Sequence, residues 1–226
     1  MDNTINLKSQ YRHPKQARSK KTFNQLLDGA EAHLANGNVD DFTLSDIADD
    51  KGITVGSVYH FFPSKEALLL ALADRVLERF AEMAETIDVE GVTCWQDIWR
   101  RTSAAARNQY VGDKPAMMLF FGPASSWQIR LTDAAGNKAI AAGLANSMRR
   151  VFDFSFADNL EELCLRGIVI SDAFWRKSYE EFETITETYQ DISCDASIAY
   201  LSRFIPEKLP LRPIIQEQAE GSRAAS

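Results

Sequence analysis

Long apolar runs are missing from this 226-residue sequence. No stretch of about 18 uninterrupted apolar residues occurs, so no membrane span is expected. The first residues, MDNTINLK, lack the charged-then-apolar form of a secretory signal, and a cytoplasmic location is expected. Cysteine is scarce. Cys94, Cys164 and Cys194 are odd in number and far apart, which suits a reducing compartment better than a disulfide framework. No Cys-x-x-Cys pattern occurs. The histidines His13, His33 and His60 are not paired at helical spacing, so neither a metal site nor a cofactor is expected. A nucleophile elbow, a glycine-rich phosphate loop and a paired acid–base motif are also missing. No catalytic residue is assigned, and an α-helical enzyme is the weakest of the readings kept open.

Positive charge is short as well. Lys and Arg total 25 against 32 Asp and Glu, a net charge of −7. That balance argues against a nucleic-acid partner unless the cations are gathered in one place. They are: residues 1–25 hold six basic residues and one acidic, a net +5. Residues 26–70 carry −6, and residues 71–226 another −6. A basic leading segment on an acidic body can still grip phosphates while the body limits non-specific association.

What is present is helical periodicity, and one stretch of it is specific. In residues 42–68, Thr43 is a good N-cap and Asp46 completes a capping pattern three residues on. Leu44, Ile47 and Ala48 give a short helix one apolar face. Gly52 stands where a helix stop favours a residue tolerant of positive φ. Thr54 caps a second short helix, with Val55, Val58 and Phe62 turned inward and Gly56, Ser57, Tyr59 and His60 turned out. Pro63-Ser64 ends it, and Ser64 caps a third helix from Lys65. Two short helices around a glycine turn form the helix-turn-helix pattern, whose second helix reads the DNA major groove.

The remaining chain reads as all-α. Residues 1–14 show no periodicity and read as a flexible arm, with Lys8 and Arg12 as possible DNA contacts. Helix 1 is expected from about Lys15 to Asn36 on a stripe of Phe23, Leu26, Leu27, Ala30 and Leu34. A long amphipathic helix follows from Lys65 to about Thr86. Further helices are expected at about 93–110, from Pro115 through the wholly apolar Met117–Phe121, at 125–151 with a possible break at Gly136-Asn137, at 158–178 and at 184–205. Pro206, Pro210 and Pro213 end helical structure, and residues 211–226 read as a disordered tail.

The order Thr43-Leu44, Ile47-Ala48, Gly52-Ile53-Thr54, Gly56-Ser57-Val58-Tyr59, Phe61-Phe62, Ser64-Lys65-Glu66 and Leu68 strongly resembles the TetR/AcrR family of bacterial transcriptional regulators, specifically over residues 18–70. Gly29 departs from it, standing where alanine is usual. The spacing from Gly37 to Thr43 is one residue longer than usual, and Asn38 is expected to take the left-handed conformation there. The resemblance implies an N-terminal three-helix DNA-binding domain over 15–64 and a larger helical ligand-binding and dimerisation domain over 65–210. In the family the long fourth helix links the two, and the last two helices pair with a second subunit. The implied function is a ligand-responsive regulator. It is expected to be a repressor that binds a roughly palindromic operator as a homodimer and is released by a small effector. Control by a protein partner is the alternative.

Candidate DNA-contacting residues follow from the pattern and the resemblance together. Arg18, Lys20 and Lys21 supply charge at the start of helix 1. Thr43, Ser64 and Lys65 stand at helix N-termini, where free N–H groups favour phosphate. Thr54, Val55, Gly56, Ser57, Tyr59 and His60 form the front of the recognition helix. No Arg, Asn or Gln sits there for a bidentate base contact, so methyl contacts, phosphate positioning and DNA shape must carry the recognition. Candidate effector contacts are Trp95, Trp99, Met117, Phe120, Phe121, Trp127, Phe152, Phe174 and Trp175, which would suit an apolar or aromatic molecule. Arg107 or Arg130 could pair with an anionic one.

Overall fold

The computed structural model describes residues 10–212. They form α1 (Ala17–Asn36), α2 (Leu44–Lys51), α3 (Val55–Phe61), α4 (Lys65–Thr86), α5 (Trp95–Val111), α6 (Lys114–Phe120), α7 (Trp127–Val151), α8 (Leu160–Phe182) and α9 (Glu187–Leu201). A single antiparallel bridge, Phe152 to Leu211, is the only β pairing among the described residues. The fold is all-α, as its periodicity predicts. Helix α7 is continuous through Gly136-Asn137, where a break is expected from sequence.

The chain divides into two compact units. One is Met1–Leu77 with Tyr110–Ala135; the other is Glu78–Gln109 with Gly136–Ser226. This division cuts across the 64/65 boundary read from sequence, because residues 110–135 fold with the N-terminal helices. The reason lies in α6. It is apolar on every side, and Ala116 to Phe120 are all buried. Asp113 caps it, its Oδ1 accepting from Ala116 N–H at 2.9 Å. Lys114 Nζ donates to the carbonyls of Ala35 (3.3 Å) and Gly37 (3.2 Å) at the C-terminus of α1, where free carbonyls favour a cation.

The first unit is built on α1, whose stripe of Phe23, Leu26, Leu27, Ala30 and Leu34 is buried as its spacing requires. Against it pack Leu44, Ile47 and Ala48 of α2, Val58 and Phe61 of α3, and the first turns of α4. Gly29 is buried because α2 needs the space: a Cβ there would stand 2.7 Å from Ile47 Cγ2. Arg75 of α4 ties back to α1, donating to Asp28 (2.6 Å) and Glu31 (2.7 Å). The α1–α2 connection corrects one expectation. Asn38 is extended, with φ −116°, not left-handed. The extra residue is absorbed by a short 3₁₀ turn, Val39–Asp41, whose Asp41 carboxylate accepts from Asn38 N–H at 2.6 Å.

The second unit has its own core of Trp95, Ile98, Trp99, Leu144, Met148, Val151, Phe152, Leu160, Leu163 and Cys164. Helices α8 and α9 meet through buried polar side chains. Ser171 Oγ lies 3.0 Å from Ser197 Oγ, and Trp175 Nε1 donates to Ser193 Oγ at 3.0 Å. The α8 stripe of Leu160, Leu163, Cys164, Gly167 and Ser171 is thus buried within this unit. On α9 Ile192 points outward and is 42% exposed, and Phe204 just after the helix is 46% exposed. Leu211 and Arg212 belong to this unit through the bridge and through Arg212 N–H donating to the Val151 carbonyl at 2.8 Å, so these two residues of the expected tail are placed. The rest of that tail, Pro213 and Lys8 lie outside the described residues.

Candidate nucleic-acid interface

The turn between α2 and α3 follows from its residues. Thr43 N–H and Oγ1 both donate to Asp46 Oδ2, at 2.7 and 2.8 Å, and Asp46 N–H returns a bond to Thr43 Oγ1 at 3.3 Å. These bonds hold the Asp46 carboxyl below its ordinary value. Gly52 then takes φ +62°, a conformation costly for residues with a Cβ, and its N–H closes α2. Thr54 caps α3, accepting from Ser57 N–H at 3.3 Å.

This places the front of α3 in solvent. Tyr59 is 52% exposed and Val55 38%. Val55 is therefore outside, not turned in as its position in the pattern first suggests. His60 is exposed and braced edge-on against Phe61, with ring centroids 5.3 Å apart. Gly56 faces open space, with no atom within 4 Å of where a Cβ would stand. Val58, Phe61 and Phe62 anchor the opposite side.

An open depression of about 450 Å³ joins this front to α1. It is lined by Arg18, Ser19 and Thr22 of α1, and by Thr54, Gly56, Ser57, His60 and Phe61 around α3. Five of the residues singled out in the sequence, Arg18, Thr54, Gly56, Ser57 and His60, therefore meet. Lys20 and Lys21 are exposed on α1 but do not line the depression. The arrangement offers hydroxyls, an imidazole and a guanidinium around an accessible backbone, a donor set suited to a phosphodiester chain.

Lys65 is placed otherwise. Its ammonium donates to the Phe42 carbonyl at 2.5 Å and lies 4.1 Å over the Phe42 ring. It is a half-buried strut between the loop before α2 and the start of α4, not a freely projecting cation. Ser64 caps α4, its Oγ accepting from Ala67 N–H at 3.1 Å. Sequence reasoning missed Ser19 and Thr22; Thr22 stands four residues on from Arg18 along α1 and would follow from an i, i+4 reading. It also assigned residues 11–14 to a flexible arm, whereas Tyr11 is buried.

The nine candidate effector residues are divided between the two units. Met117, Phe120, Phe121 and Trp127 belong to the first unit; Trp95, Trp99, Phe152, Phe174 and Trp175 belong to the second. Trp127 is 65% exposed. Trp95 and Trp175 are core residues with their indole N–H groups committed, Trp95 to the Pro206 carbonyl at 2.9 Å and Trp175 to Ser193. Arg107 is occupied by the Ile185 carbonyl at 2.8 Å, and Arg130 is exposed. No cluster of three or more His, Cys, Asp or Glu side chains suited to a metal occurs among the described residues. No helix among them is long and apolar enough to cross a membrane.

An all-α chain with a helix-turn-helix unit and an exposed second helix beside a basic helix start defines a class, and comparison with known proteins shows which regulators it is similar to. Residues 26–72 match the model described as bacterial regulatory proteins, tetR family. The regulator EthR of Mycobacterium tuberculosis is 42% identical over 59 residues, 26% of this chain and 27% of that protein. This chain thus spans only about a quarter of EthR's length in the match. A transcriptional repressor of the same organism is 27% identical over 173 residues, 73% of this chain and 63% of that protein. Among solved structures, a TetR-family regulator from Streptomyces coelicolor shares the fold with a TM-score of 0.60 at 21% identity, covering 83% of this chain and 99% of that one. SmeT, the repressor of the Stenotrophomonas maltophilia efflux pump SmeDEF, does so with a TM-score of 0.54 at 17% identity, covering 85% and 97%. Residues 26–72 thus match the DNA-binding segment of tetR-family regulators, and the chain shares the fold of solved TetR-family proteins.

Proposed function

We propose that the protein is a ligand-responsive repressor that binds a roughly palindromic operator in the cytoplasm as a homodimer. The observation that carries the reading is the shared depression between the start of α1 and the front of α3, with Arg18, Thr54, Gly56, Ser57 and His60 around it. Two copies would set their α3 helices in successive major grooves, about 34–36 Å apart or a multiple of that. Arg18, Lys20, Lys21, Thr43, Ser64 and Tyr59 would contact phosphate. Val55 and the Thr54 methyl would meet thymine methyls, and Lys65 would hold the α2 and α4 starts in place for phosphate contact.

For the effector, we favour the second unit. There the indole N–H of Trp99 and the side-chain carbonyl of Gln190 are buried with no hydrogen-bond partner, and Phe174 is half-buried. A small aromatic molecule carrying one neutral hydrogen-bonding group would suit these residues. SmeT has been solved in complex with triclosan, which supports a ligand of that character. The test is selection of bound duplexes from random-sequence DNA, followed by footprinting. Enrichment of an inverted repeat supports the reading, and recovery of no enriched motif overturns it.

A further inference from the structure

Tyr11 lies ahead of α1, in a segment without sequence periodicity, yet only 4% of its surface is exposed. Its ring packs against His13, Phe23 and Phe62, with centroids 4.6, 6.1 and 6.3 Å away. Its hydroxyl donates to the half-buried Asp74 carboxylate on α4. The next residue is held too: Arg12 N–H donates to the Phe61 carbonyl at 3.0 Å. Phe61 is the last residue of the recognition helix α3. Two consecutive residues thus fasten the leading segment to α4 and to the end of α3. Phe23 and Phe62 could be covered by any aromatic ring, but the hydroxyl–carboxylate bond fixes one orientation of it.

We propose that Tyr11 is a positioning residue for DNA binding, clamping the leading basic segment to the recognition helix so that Arg12 and Lys15 meet phosphate as fixed charges. This rests on the DNA-binding reading above. Arg12, Lys15 and Arg18 are exposed, and none of them forms an ion pair with a carboxylate among the described residues. Chain entropy lost in ordering them falls on folding instead of on association, so each contributes more of its electrostatic attraction to affinity. Because α4 carries Asp74, the same bond also makes the arm's position depend on that helix.

The test measures anisotropy of a fluorescein-labelled random-sequence duplex over a KCl series, with Tyr11→Phe, Tyr11→Ala, Asp74→Asn and Arg12→Ala/Lys15→Ala variants. Tyr11→Ala is expected to bind about 3–10-fold more weakly at low salt. Its slope of log K against log [KCl] should be shallower by about one to two units, the share of two phosphate contacts. Tyr11→Phe and Asp74→Asn, which keep the ring packing, should fall between it and the wild type. In the Arg12→Ala/Lys15→Ala background, Tyr11→Ala should shift the slope no further, an outcome that a merely structural role would not produce. Wild type that binds while Tyr11→Ala keeps the full slope overturns the clamp alone, as does an additive loss in that background. Wild type that binds no duplex at low salt overturns the DNA-binding reading and the clamp with it.

Discussion

Lys65 shows how one side chain can carry a structural and an electrostatic duty at once. Its ammonium is tied to the Phe42 carbonyl and ring, next to the Thr43–Asp46 cap. A hydrogen bond from a charged donor contributes about 1.5–3 kcal/mol, and a cation over an aromatic face about 0.5–1 kcal/mol at a partly exposed site. Half-exposure trims both, so Lys65→Ala should lose roughly 1–2 kcal/mol of stability in urea unfolding. Its slope of DNA affinity against salt should change by less than the full unit of a free phosphate contact. A full unit of slope with unchanged stability would refute the strut. The cysteines give a second residue-level test. Burial pushes the Cys164 thiol up to about 12 and Cys194 up to about 11, and it raises Cys94 less. Thiolate is the reactive form, so native protein at pH 8 should react with Ellman's reagent slowly and at Cys94 first. Unfolding should release all three. The raised values favour the protonated thiol in the folded state. Their stabilisation is complete below the ordinary value of 9.0 and is lost as pH climbs toward about 12 for Cys164. Cys164→Ala should therefore lose less stability than wild type across that alkaline window. Rapid native labelling of Cys164 would contradict its burial.

Among the elements, α1 and α2 are held at a distance that Gly29 sets. Replacing it with alanine would add helix propensity of about 1 kcal/mol. The new methyl, however, would stand 2.7 Å from Ile47 Cγ2, a β-branched group that is fully buried and cannot swing aside. Overpacking of this kind costs about 1–3 kcal/mol. Gly29→Ala should thus be neutral to destabilising by up to about 2 kcal/mol, read as a lower urea midpoint with unchanged helicity. A stabilised variant would show that α2 moves freely against α1. The position also marks the limit of what the sequence reveals. Helical periodicity and caps placed α1, α4 and the helix-turn-helix within a residue or two, since those signals are local. Gly29 read only as a departure from the usual alanine because the partner that requires it, Ile47, lies 18 residues on. Tyr11 read as part of a loose arm because one aromatic ring makes no period. The buried, all-apolar α6 was legible as buried, but nothing local says which helices cover it. For the candidate interface, the front of α3 was legible from motif order. The aromatic effector set was not, because a core tryptophan and a ligand-lining tryptophan share the same composition.

At the scale of the whole molecule, specificity is the constraint that asks for a second copy. The recognition helix spans seven residues, Val55–Phe61, and its front offers hydroxyls, a methyl group and one imidazole. Bidentate contacts worth about 1–3 kcal/mol of base discrimination each are out of reach for such a face. One copy would read its half-site weakly, and an acidic body with a net charge of −7 adds little non-specific grip. Two copies on a repeated half-site double the discrimination and supply both sets of basic segments. The surface for pairing would lie on α8 and α9, where Val169 is 57% and Ile192 42% exposed although both are β-branched apolar residues. The serines that join these two helices are turned inward and already satisfied, which leaves the outer apolar residues as the available contact. Val169→Asp/Ile192→Asp should halve the mass measured by light scattering at micromolar concentration. It should leave the helical circular dichroism intact, because neither side chain is part of the buried core. The footprint on an inverted repeat should vanish while weak, salt-sensitive association with arbitrary duplex persists, since α1 and α3 are untouched. Retention of the dimer mass in this variant would move the pairing surface off these helices. Loss of the footprint without loss of mass would mean that the outer residues set the spacing of the recognition helices without holding the copies together.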